Sequence, residues 1–311
     1  EDGTYKMESQ VSNGGTAYYF NGDYMDNGSP VSLTISKTEG GYTIANGDIL
    51  YGYDGTSTVL GKGVSGDAAL WVIYSEEDMA AMLAAATIDA PVDATYLITD
   101  ANFGRNNRYS GAWTFEASNK NISGGNNANN NAESYHSVFT LSQTLDDVPN
   151  GVYALSAQGF YRQDGSDTEN LPYFFLNDGT VTFPVRTGSE NSMSAASVSF
   201  TNGLYTVEPI IVKVEDGTIT LGAKLEVNTN LWCIWDNFVL YYYGADATID
   251  EVAALANVDA YLAALEAAEA VDQDAAIAPA ALEALQTALA DYASVLDGEY
   301  TAESLAEATE A

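Results

Sequence analysis

The chain has 311 residues, with 44 acids against ten Lys and Arg, and a formal charge of -34. That length exceeds one ordinary domain and suggests two or three. The charge excludes nucleic acid and an anionic membrane surface as partners, because neutralising phosphates takes clustered Lys or Arg.

Cys233 and His136 stand alone as cysteine and histidine. They rule out an intramolecular disulfide, a cysteine zinc site and nearly every histidine-based site. Cys233 lies among Trp232, Ile234 and Trp235 and reads as a small buried hydrophobe. No apolar run is long enough to span a bilayer. The abrupt start at Glu1-Asp2 and the end inside a helical pattern read as a processed or partial piece of a larger protein.

In chain order, residues 1–75 predict a small all-β module. Apolar clusters at Tyr18–Phe20, Val31–Ile35, Tyr42–Ile44, Ile49–Tyr51, Val59–Leu60 and Leu70–Ile73 alternate with Asn-Gly and Asp-Gly pairs. Those pairs tolerate the positive φ of tight hairpin turns, so a meander or partial barrel is expected. Residues 76–94 predict a helical connector. Ser75 caps it, three acids sit at the positive end of its dipole, and Met79, Met82 and Leu83 form its apolar stripe.

Residues 95–244 predict a β-sandwich of short strands with no internal helix. Tyr96–Ile98 is expected as the first strand, and Tyr135–Leu141 as one continuous strand. Asn119 to Asn131 reads as a polar loop that cannot bury itself. The run from Gly151 to Arg162 alternates for a full strand, with Gln158 and Arg162 on a face expected to be open. Leu204–Tyr205 and Ile210–Val214 are expected strands, and Trp232–Tyr243 closes the region before Gly244. From 245 to 311 the composition shifts to Ala, Leu and Glu and predicts an α-helical bundle. One helix runs from about Thr248, a second starts at Pro279, and a third opens near Thr301 and looks truncated.

At this point the residues carry a resemblance. Asn102-Phe103, Trp113, Ala132-Glu133-x-Tyr135, Gln143-Thr-Leu145, Gly151-x-Tyr153, Gly159–Arg162 and Asp236-Asn-Phe-x-Leu240 resemble the galactose-binding-like jelly roll of Bacteroidetes surface proteins, similar to carbohydrate-binding modules. Pieces of residues 1–75 resemble lobes of a β-trefoil, with room for about two of three, and the C-terminal helices resemble small three-helix spacers. The resemblance implies a non-catalytic carbohydrate-binding piece of a secreted, cell-surface multimodular protein, with a structural Ca²⁺ possible and glycan or neighbouring modules as partners. One departure is Gly104, where related modules often carry an acid.

A sugar site needs an aromatic face for the C–H side of the ring and planar polar groups for its hydroxyls. The candidates are Arg162, Gln158 and Glu133 as polar groups and Trp113, Trp232 and Trp235 as platforms. The ordinary alternatives are a salt bridge from Arg162 to Glu133 and core packing for each tryptophan. Asp236 and Asp100 are the candidate calcium ligands, since calcium takes hard oxygen donors. Acids are too plentiful for a catalytic pair to stand out, so no enzyme activity is expected. The rival function is a structural or adhesive module whose β-layers only pack and assemble.

Overall fold

The computed structural model describes residues 3–8, 18–53, 60–103, 113–122, 131–167, 169–227, 229–272, 279–292 and 301–310. The expected turns at Asn13-Gly14 and Asp54-Gly55, Gly104, and most of the polar loop (123–130) lie outside them.

The chain begins with short strands: β1 (Thr4–Tyr5), β2 (Tyr19–Phe20), β3 (Met25–Asp26), β4 (Leu33–Thr38), β5 (Gly41–Asn46), β6 (Ile49–Gly52) and β7 (Gly61–Lys62). An antiparallel meander in the order β1-β4-β5-β6-β7 forms an open sheet rather than a barrel. Its small core is Phe20, Leu33, Ile44 and Tyr51. Helix α1 (Glu76–Ala84) follows, with the expected cap: Ser75 accepts from Asp78 N–H and the Asp78 carboxylate accepts from Ser75 N–H.

Next come β8 (Val92–Asp93), β9 (Thr114–Ala117), β10 (Lys120–Ile122), β11 (Ala132–Tyr135), β12 (Phe139–Leu145), β13 (Gly151–Gln163), β14 (Tyr173–Leu176) and β15 (Gly179–Thr182). After helix α2 (Met193–Thr201) come β16 (Ile210–Val214), β17 (Ile219–Leu225) and β18 (Leu231–Tyr242). Among the described residues these strands make two layers. One runs β10-β11-β18-β13-β16, with β8 paired to the end of β18; the other runs β15-β14-β17-β12-β9. Their shared core holds Phe115, Phe139, Tyr153, Phe174, Trp235 and Phe238. Strand β13 starts at a tight approach: Gly151 has φ +143, and a Cβ there would stand 2.3 Å from the Gly244 carbonyl.

Four expectations change. Thr95–Leu97 is a single 3-10 turn rather than a strand, with Ile98 buried behind it. Tyr135–Leu141 is not one strand. The chain breaks at His136, whose φ is +48, leaves β11 in one sheet and enters β12 in the other. Tyr205 also takes positive φ, +62, and makes an isolated turn instead of a strand.

The fourth change is α2, where no helix was expected. Ser192 caps it by accepting from Ala195 N–H at 3.2 Å. Met193, Ala196 and Phe200 fall on one face and pack on Phe160, Trp232 and Ile234. Serine-rich sequence is a weak helix former, so burial of that stripe decides the conformation. Ser192→Ala is expected to cost about 1 kcal/mol, read as a fall of roughly 2–4 °C in Tm.

Helix α3 (Ile249–Asp272) packs against the rest of the same sheet face, with Val252 and Ala247 on Val152 and Ala154. Helices α4 (Pro279–Tyr292) and α5 (Ala302–Glu310) lie against it; Pro279 begins α4 at the position predicted. Tyr261 and Leu305 are buried among them, and the Tyr261 hydroxyl donates to the Tyr292 carbonyl at 2.7 Å.

Candidate functional site

The outer face of β13, expected to be open, is covered from Val152 to Phe160 by α3 and α2. Val152, Ala154 and Phe160 point to that side and are apolar, so the strand buries both faces, as a near-continuous hydrophobic run requires. Gln158 is therefore only 7% exposed. Its Nε2 donates to the carbonyls of Phe200 and Leu204, and its Oε1 accepts from Asn237. It ties α2 to the sheet and is not a surface group.

The three candidate tryptophans are buried rather than exposed as platforms. Trp113 and Trp232 are 3% exposed and Trp235 is fully buried, so none offers a stacking surface. Trp235 stacks on Phe139 at 4.8 Å inside the core. Trp232 lies under Arg162, with the guanidinium 4.9 Å from its ring centroid, and its indole N–H donates to Glu133 Oε2 at 2.7 Å. Glu133 thus serves Trp232, and the Arg162–Glu133 salt bridge gives way to a pair with Asp164.

Beyond Phe160 the sheet face opens. Pairing register places Tyr135, Trp232 and Arg162 abreast on β11, β18 and β13. Arg162 Nε and Nη2 donate to the two Asp164 oxygens at 2.7 and 2.6 Å, a bidentate pair, and Nη1 donates to Asn191. His136 Nε2 lies 2.9 Å from Asp164 Oδ2, and its ring stacks on Tyr135 at 3.9 Å. Tyr135 keeps 40% of its surface exposed. The Arg162 hydrogen bonds, aided by His136, hold the Asp164 carboxyl below the usual carboxylate range. Asp164 and, after it, Tyr135 favour the charged guanidinium.

Asn191 is anchored from below. Burial works to raise the Glu190 pKa, but hydrogen bonds from Ser199, the backbone and Tyr205 outweigh it and hold the carboxylate charged. Asn191 follows directly, at the mouth of α2. The positive φ at His136 and Tyr205 is uncommon for such residues, and both flank this cluster. Tyr135, His136, Asp164 and Asn191 escaped sequence reading. The signal available was the lone His beside a Tyr in an otherwise regular strand.

A second cluster is buried. Asp236 is 3% exposed and its pKa is pushed up to about 8, first by burial and then by the nearby Asp100 carboxylate, against one hydrogen bond from Asn237 N–H. Asn131 continues β11 one step beyond the pair Ala132–Trp235, which brings it level with Asp236. It is fully buried, and its Oδ1 accepts no hydrogen bond. Asp100, Phe103 and Asn237 all take positive φ. Two neighbouring carboxylates, with an orphaned amide oxygen level with one of them, are hard oxygen donors of the kind a divalent cation takes. Asp100 and Asp236 lie close enough for the Asp100 charge to act on Asp236, and Asn131 was not singled out by the sequence.

No helix among the described residues is long and apolar enough to cross a membrane. No protein-family model and no curated protein matches the chain. Among solved structures, it is similar to the module TmCBM61 in complex with β-1,4-galactotriose: 15% identity, TM-score 0.29, 47% of this chain and 97% of that one. It also matches a β-glucosidase from Kluyveromyces marxianus in complex with glucose at 12% identity and TM-score 0.17, over 45% of this chain and 13% of that one. The third is the mosquito-larvicidal Cry4Aa toxin from Bacillus thuringiensis, at 9% identity and TM-score 0.22, over 78% and 43%.

Proposed function

We propose that this chain is a non-catalytic glycan-binding piece of a secreted or surface-attached multimodular protein, built on a jelly-roll sandwich. One observation carries the reading: an exposed aromatic ring, Tyr135, stands beside a fixed array of planar polar groups, Arg162, Asp164, Asn191 and His136. The ring suits the apolar C–H face of a pyranose, and the array suits its hydroxyls. The array is bonded to itself, so little side-chain entropy is lost on binding. Arg162 is already neutralised by Asp164 and the chain carries -34, so neutral sugars are favoured over uronic or sulfated ones.

The same reading includes a structural divalent cation, calcium by donor type, held by Asp236, Asp100 and Asn131. It would brace the β11–β18 pair at the end opposite Tyr135 and Trp232.

The rival is a structural or adhesive module with no sugar site. It is favoured by the sealing of the β13 face under α2 and α3. A glycan array followed by calorimetry separates the two. Neutral polysaccharide is expected to bind the native chain, and Tyr135→Ala to weaken it about tenfold or more with Tm unchanged. Failure to bind any glycan leaves the structural reading standing.

A further inference from the structure

We propose that the cleft between α1 and the β8 edge binds an alkylammonium ion. The cleft has a volume of about 330 Å³, at the lower end of the range for small-molecule sites, about 300–1,000 Å³. Tyr74 and Tyr96 form walls and are 53% and 42% exposed. Met79 and Met82 of α1 add thioethers, and Asp93 and Thr95 stand among the lining residues with Val92. No Lys or Arg is among the described residues that line it.

The local fold explains why a carboxylate stands there. Asp93 Oδ1 accepts from Thr95 N–H at 2.9 Å, which turns the chain out of β8 into the 3-10 turn. The residue stays exposed, so its charge is available at the cleft. Meanwhile Ser75 and the first-turn acids fix α1, and with it both methionines, opposite that turn.

Each wall selects against a different ligand. An anion meets Asp93 and a chain of charge -34. A pyranose finds few fixed polar partners, since the Thr95 hydroxyl already accepts from Leu240 N–H and leaves chiefly Asp93 and two phenols. An alkylammonium ion matches all the features at once. Its charge is offset by Asp93, its polarised methyl or methylene groups lie against aromatic faces, and thioethers fill the remainder.

Calorimetry with choline as the probe tests this, alongside 3,3-dimethylbutan-1-ol, its neutral isostere. Choline is expected to bind saturably, and the isostere about tenfold more weakly or worse. Asp93→Asn keeps the acceptor for Thr95 N–H but removes the charge, and should weaken choline by a similar factor; Tyr74→Ala, at an exposed position, should do likewise. Equal binding of choline and the isostere would reduce the cleft to an unselective apolar hollow. Full affinity in Asp93→Asn, or no saturable choline binding, overturns the proposal. Competition by galactose or an oligosaccharide would instead make it a second sugar subsite. The Tyr135 variant serves as a control, since its loss of glycan binding should leave choline binding untouched.

Discussion

Stripped of divalent cations, the protein should lose thermal stability steadily as pH rises from about 4 to about 8, and added calcium should abolish the loss. The folded pKa of Asp236 is raised to about 8 from an ordinary 3.8, chiefly by burial and secondarily by Asp100. A carboxyl with a raised folded pKa favours the folded state fully below its unfolded pKa. That contribution disappears as pH climbs through the folded value. The difference amounts to several kcal/mol, on the order of 5, or roughly 10–20 °C in Tm for a domain of this size. A bound cation replaces the proton, so calcium should raise Tm most at pH 8 and release about half a proton per ion there, a carboxyl of folded pKa about 8 being half protonated at that pH. Asp236→Asn is close to isosteric and should flatten both the pH slope and the calcium response. Melts that do not respond to calcium at pH 8 would remove the cation. A slope that survives in Asp236→Asn would remove this carboxyl as its source.

Arg162→Lys should damage glycan binding nearly as much as Arg162→Ala, about tenfold or more in each. The guanidinium does three things a point charge cannot. It grips both Asp164 oxygens at once, donates to Asn191 from a third nitrogen, and does both while seated over the Trp232 ring. An ammonium can satisfy Asp164 alone, leaving Asn191 and the Trp232 face unsupported. Titration calorimetry gives the affinities, and the difference in indole fluorescence between native and variant chains is expected to come mainly from Trp232, the tryptophan beneath Arg162. Recovery of affinity by lysine would mean that the site needs only positive charge, and the case for an ordered planar array would fail.

Several elements were legible in the sequence because their signals are local. The alternation from Gly151 to Arg162 matches β13 nearly residue for residue. Ser75 and Pro279 mark the starts of α1 and α4 through capping and first-turn chemistry. The capped stripe Ser192, Met193, Ala196 and Phe200 is equally local but short and set in weak helix formers, so the sequence predicts no helix there. The break at His136 carried no Gly, Pro or Asn to mark a turn, and the residues on either side suit a strand.

Composition, periodicity and turn chemistry thus determined by themselves that this acidic chain is mainly β, with long central strands and helices after Thr248. They did so because φ, ψ preference and side-chain period are properties of a few neighbouring residues. Which strand face meets water was decided only by tertiary structure. Helices α2 and α3, distant in sequence, cover β13 because the burial of Phe160, Val152 and Ala154 is worth more than leaving them exposed. Tertiary packing likewise buried the three candidate tryptophans, Trp232 under α2 and Trp113 and Trp235 between the sheets, and left Tyr135 exposed at the corner where the chain changes sheets.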